Sequence, residues 1–254
     1  MNRINKLFNE KDNILSIYFT AGYPSLNDTN HIIKILDDSG VDMIEIGMPF
    51  SDPIADGPVI QNSSNVAIKN GMNISLLFDQ LSEIRNFTEI PIVLMGYINP
   101  VFQYGYKNFI NKLISCGIDG VILPDLPVND FKKYFKSSFD ENNLSYISLI
   151  SPNTSDKRIN EIDNLSSGFI YIVSSSSITG NKSKFSNSQI EYFNRIKNIK
   201  LSNPKIIGFG ISDKKTFDKA CEYSNGAIIG SGFINSILKD NIEKSVVEFI
   251  SNIR

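Results

Sequence analysis

Short apolar runs alternate with amphipathic stretches along the whole chain. The runs fall at 14–22, 42–47, 90–97, 120–127, 145–151, 168–175, 205–211 and 226–232, and are rich in Ile, Val and aromatic residues. Each is too short for a buried helix and has the composition of a strand. Between them, stretches such as "DTNHIIKILDDSG" (28–40) and "NDFKKYFKSSFDENN" (129–143) read as amphipathic helices. Gly or Asn often closes such stretches, as a helix C-terminus requires. The spacing from run to run is roughly 20 to 45 residues, the length of a strand–helix unit. Eight units predict an α/β fold, a closed (β/α)8 TIM barrel spanning residues 1–254 as a single domain. The opening "MNRINKLFNEKDN" adds a short N-terminal amphipathic helix. The rival architecture is a doubly wound open sheet, and the lack of a G-x-G-x-x-G after the first run weakens it.

Two connections are oversized, 48–60 after the second run and 174–188 after the sixth. Long strand-to-helix loops of a barrel lie on the face where chemistry occurs. The second is polar and contains glycine, which suits either a mobile lid or a plain loop.

Within "VDMIEIG", strand alternation puts Val41, Met43 and Glu45 on one face and Ile44 and Ile46 on the other. The isoleucines suit the layer under the helices, so Glu45 is expected to point into the barrel near the C-terminal end of its strand. One reading is a structural carboxylate paired with a cation. Yet the strand runs contain no Lys or Arg apart from Lys205 at the start of the seventh. An unpaired Glu among apolar groups has a raised pKa, which suits a group that both gives and takes a proton near neutrality. Asp52 and Asp56 follow in a proline-rich loop. Each reads as turn chemistry, Asp56 also as a cap for a helix starting near Pro58, or as a carboxylate held over the pocket mouth.

Composition narrows the chemistry. The chain has 254 residues, is 41% hydrophobic and carries a net charge of −2, which offers no basic surface for nucleic acid or a membrane. No apolar run approaches the ~18 residues of a membrane span, and a cytoplasmic location (or an organelle stroma) is expected. Cys116 and Cys221 show no metal or disulfide spacing, and the sole histidine, His31, sits on an expected helix away from the catalytic face. No metal site is expected, and carboxylates must carry any proton transfer. "GFGIS" (208–212) and "IGSGF" (229–233) end the last two runs in glycine. Either these glycines only make turns, or they let backbone N–H groups and Ser231 approach a phosphate ahead of a short helix.

At this point "IEIGMPFSDPIADGPVIQ" (44–61) resembles the signature of the tryptophan synthase alpha chain family. "FTAGYP" (19–24), "MGYINPVF" (95–102), "GVILPDLP" (120–127), "ITG" (178–180), "GFGIS" and "IGS" (229–231) fall, in order, where that family has corresponding segments. The resemblance implies retro-aldol cleavage of indole-3-glycerol phosphate to indole and glyceraldehyde 3-phosphate, with Glu45 and Asp56 as the catalytic pair. It implies phosphate binding around Gly180, Gly210, Gly230 and Ser231. Tyr18, Tyr171 and Phe209 match the indole pocket or its catalytic edge, and Thr179 matches a lid residue. Ser177 stands where the family commonly has glycine. The resemblance implies no cofactor in this chain. It implies a beta-chain partner carrying pyridoxal phosphate in an alpha2beta2 complex, faced by Asp52, Pro53, Asn99 and Pro100. A standalone lyase releasing free indole, a non-catalytic activating subunit and an unrelated phosphosugar enzyme on the same barrel are the alternatives.

Overall fold

The computed structural model describes residues 2–174, 185–237 and 240–254. Its strands are β1 (Ile14–Thr20), β2 (Met43–Gly47), β3 (Ile92–Met95), β4 (Gly120–Ile122), β5 (Ser145–Ile150), β6 (Ile170–Val173), β7 (Lys205–Gly208) and β8 (Gly226–Ile229). They pair in chain order, all parallel, and β8 returns to β1 to close the barrel. Each apolar run of the sequence contains one strand, so the expected architecture is the observed one.

Alternation sorts the side chains into two cores. Ile17, Phe19, Ile44, Ile46, Leu94 and Ile172 face the outer helices. Ile14, Tyr18, Met43, Val93, Tyr171 and Ile206 fill the barrel interior. Val41 was expected to point inward with Met43 but belongs to the outer core, because it precedes β2 and bonds back to Leu36 O. The helix Arg3–Glu10 closes the N-terminal end: Ile4 is buried with the interior set, and Phe8 meets Phe169 at 5.9 Å. Asp119, just before β4, ties this end together. It accepts from Ile92 N (2.9 Å), Arg85 Nη2 (2.8 Å) and Arg3 Nη1 (3.2 Å).

The stretch 129–143 forms two helices, Val128–Tyr134 and Lys136–Asn142, instead of one. Phe135 leaves helical geometry (φ −120°, ψ −41°) at the junction. The break lets Phe131, Phe135 and Phe139 all bury, with Phe131 stacked on Tyr146 of β5 at 3.8 Å. Burying three aromatic rings outweighs one interrupted helical turn.

Candidate active site

Glu45 lies inside the barrel near the C-terminal end of β2, level with Tyr18 on β1 and Val93 on β3. It is 0% exposed, and neither carboxylate oxygen has a hydrogen-bond partner. No ion pair among the described residues involves it; Lys205, at the start of β7, donates instead to the carbonyl of Ile196 in the preceding helix. Burial pushes the Glu45 carboxyl up to about 8, with nearby Ser16 pulling weakly the other way. Glu45 is therefore mostly protonated at neutral pH and can still ionise within the physiological range.

Asp56 hangs from the loop after β2. Burial raises its carboxyl to about 6, opposed by a hydrogen bond from Tyr97. The Tyr97 hydroxyl donates to Asp56 Oδ2 (3.2 Å) and accepts from Ala55 N (3.2 Å). The loop is braced from inside: Asp56 N donates to Pro53 O (3.0 Å), and Gln61 Nε2 donates to Asp56 O (2.8 Å). The helix Pro58–Lys69 begins with Gly57 as its N-cap and no side-chain cap, so Asp56 is not a helix cap. Its carboxylate faces a cleft lined by Tyr18, Met48, Phe50, Tyr97, Leu149 and Phe209. Glu45 does not line that cleft, but both carboxyl groups bear on Tyr18 and Tyr171, and near neutrality Glu45 is mostly protonated while Asp56 is mostly ionised.

The tyrosines of the expected pocket depend on missing side chains. A Cβ added at Gly47 would stand 2.1 Å from the Tyr18 hydroxyl, and one at Gly208 would stand 2.1 Å from the Tyr171 hydroxyl. Each ring therefore crosses the bare backbone at the end of the next strand. Phe209 makes an edge contact with Tyr171 at 6.0 Å and sits at φ +66°, followed by Gly210 at φ +74°. A bulky residue at positive φ is strained, and such strain concentrates at binding sites. Gly230 lies against Tyr18, and the helix Ser231–Ser236 starts directly after it, with Ser212 packed on Gly232. The segments after β7 and β8 thus pack on each other.

On the rim, Asp52 and Asn99 are exposed, Pro100 is half-buried, and Pro53 is buried and faces the cleft. Ile54 between them is 86% exposed, an apolar side chain that the sequence reading did not single out. Tyr97 and Ser16 were also missed, since nothing in "MGYINP" or "ILSIYF" separates them from strand filling. Thr179, Gly180 and Ser177 lie outside the described residues. His31 is exposed on the helix Thr29–Asp38, as expected. Among the described residues, no group of three or more His, Cys, Asp or Glu side chains could hold a metal ion. None of their helices is long and apolar enough to cross a membrane.

A family profile described as tryptophan synthase alpha chain matches residues 4–254. The chain belongs to that family. The tryptophan synthase alpha chain of Flavobacterium psychrophilum is 54% identical over 253 residues, covering 100% of both chains. That of Flavobacterium johnsoniae is 53% identical, again over 100% of both. Among solved structures, a tryptophan synthase complex from Pyrococcus furiosus superposes with a TM-score of 0.85 at 32% identity, covering 96% of this chain and 98% of that one. Family membership makes the chain the alpha subunit of a tryptophan-biosynthetic enzyme and a lyase.

Proposed function

We propose that this chain, acting as a single barrel domain, cleaves indole-3-glycerol phosphate to indole and glyceraldehyde 3-phosphate with Glu45 and Asp56 as its catalytic pair. One observation carries the reading: Glu45 is wholly buried at the mouth end of the barrel with both oxygens unpaired. A protein does not keep such a group for stability, because an unpaired buried carboxyl costs free energy.

Protonated Glu45 gives its proton to indole C3. Asp56, ionised, accepts a hydrogen bond from the indole N–H and offsets the positive charge that grows on that nitrogen. The Glu45 carboxylate then takes the proton of the hydroxyl on the adjacent glycerol carbon. The bond from that carbon to C3 breaks, its electron pair restores the aromatic ring, and the oxygen becomes the aldehyde carbonyl. Glu45 ends protonated, as it began. A well-placed acid or base contributes about 10²–10⁴-fold in rate. Backbone groups around Gly180, Gly210 and Gly230, with the Ser231 hydroxyl, would anchor the phosphate. Tyr18, Tyr171 and Phe209 would wall the indole, and Thr179 would meet the Asp56 loop on closure. Anchoring of this kind lowers barriers by up to roughly 7–11 kcal/mol in well-oriented systems.

The partner is a beta chain that supplies pyridoxal phosphate in an alpha2beta2 complex in the cytoplasm; this chain itself needs no cofactor. Asp52, Pro53, Asn99 and Pro100, joined by exposed Ile54, form the facing rim. The test is to supply indole-3-glycerol phosphate and measure indole, with and without the beta chain. Indole should form in both and faster in the complex. No indole in either sample contradicts the reading, and equal rates favour a standalone lyase.

A further inference from the structure

We propose that Ser16 is a positioning residue for this reaction, its hydroxyl holding the Glu45 carboxylate in the step when Glu45 has lost its proton. The inference rests on the acid–base reading of Glu45.

Ser16 is the polar exception in its setting. It lies on β1, wholly buried, between the inward-facing Ile14 and Tyr18. Strand pairing aligns Ser16 with Met43 and Tyr18 with Glu45, so Ser16 sits one layer beneath Glu45 on the adjoining strand. The hydroxyl has no hydrogen-bond partner, and neither has either oxygen of Glu45. Three unpaired polar atoms thus share the buried interior. A buried hydroxyl without a partner is destabilising, and an alanine there would avoid the cost. The pair makes sense across the reaction cycle. Protonated Glu45 makes little demand for a donor. Once its proton has passed to C3, an anion stands in the barrel, and a hydroxyl beside it can turn its O–H to the carboxylate.

No Lys or Arg is buried beside that anion among the described residues. Tyr18 from β1, Tyr171 from β6 and Asp56 from the β2 loop are the titratable groups whose charges bear on the same space as Glu45. Burial keeps both tyrosines neutral, and Asp56 is negative when ionised. Tyr97, from the end of β3, spends its hydrogen on Asp56. Ser16 lies close enough to favour the charged form of Glu45, although its hydroxyl makes no hydrogen bond in this structure.

The test is the pH dependence of indole formation by the alpha–beta complex for wild type, Ser16→Ala and Ser16→Thr. Cleavage starts from protonated Glu45, so Glu45 sets the alkaline limb. Removing its donor should make the anion harder to form. Ser16→Ala should lower kcat about tenfold, the size of a lost charge-assisted hydrogen bond, with KM unchanged. Its alkaline limb should move up by about half to one pH unit. Ser16→Thr keeps the hydroxyl and should keep both properties. Superimposable profiles for wild type and Ser16→Ala would overturn the proposal, and so would equal losses in Ala and Thr with no movement of the limb. A Ser16→Ala chain that fails to fold would overturn it as well, since the hydroxyl would then be structural. Active wild type with any of these outcomes leaves the parent reading intact; inactive wild type overturns the parent reading itself.

Discussion

Tyr97 donates its phenolic hydrogen to Asp56 across 3.2 Å, linking the end of β3 to the loop that follows β2. This bond favours the ionised carboxylate against the burial that raises it. Asp56 should govern the acidic limb of kcat/KM, near pH 6. Tyr97→Phe should push that limb upward and cut activity several-fold at pH 6 while sparing it at pH 8. An unmoved limb would mean that the bond does not form in solution. Asp56→Ala should cost at least about 10²-fold at every pH.

Gly208 gives Tyr171 its place. Gly208→Ala would put a methyl 2.1 Å from the hydroxyl and 2.4 Å from the ring carbon that bears it. The tyrosine is buried and has nowhere to retreat without disturbing Phe209. Overpacking of this kind costs about 1–3 kcal/mol. Thermal unfolding should show that loss, and indole formation should fall more than tenfold.

Ile54 stands almost fully in solvent beside Asp52 on the rim of the cleft. Ile54→Asp should weaken binding of the beta chain about tenfold or more, as loss of an apolar anchor does, and leave the melting temperature of the free chain unchanged. Calorimetric titration with the beta chain measures this; unaltered affinity would remove Ile54 from the interface.

Glu45 also leaves a signature in stability. Its carboxyl is raised from 4.5 to about 8 in the fold, so the native state holds a proton that the unfolded chain releases. The stability linked to that proton is present in full below about pH 4.5 and is lost as pH climbs through about 8. Glu45→Gln cannot ionise. Its stability advantage over wild type should grow across that window, reach a few kcal/mol on the order expected for such a shift, and level off above it. Denaturant unfolding at pH 5, 7 and 9 provides the comparison.

Glu45 was legible from the sequence because it shares the inward face of its run with Met43 while the one cation in the strand runs, Lys205, lies at the start of the seventh. Asp56 was less so: its neighbours left a turn, a cap and a carboxylate over the pocket mouth all open, and only the family resemblance paired it with Glu45. Only the fold shows Gly57 in the capping place and Asp56 turned to Tyr97. Gly47 and Gly208 looked like ordinary strand ends. Their use, clearing space for a tyrosine on the preceding strand, depends on register between segments far apart in the chain. Phe135 breaks its helix through tertiary packing, which local periodicity does not encode. Ser16 was hidden for the same reason as Tyr97: a single hydroxyl in a strand has no pattern of its own.

On this account Glu45 moves the proton that lets the carbon–carbon bond break. The direct measurement is the rate of indole release from indole-3-glycerol phosphate by Glu45→Gln, in complex with the beta chain and at matched folding by circular dichroism. A folded variant slowed by at least about 10²-fold is the predicted result; a folded variant with near-normal turnover would contradict the account.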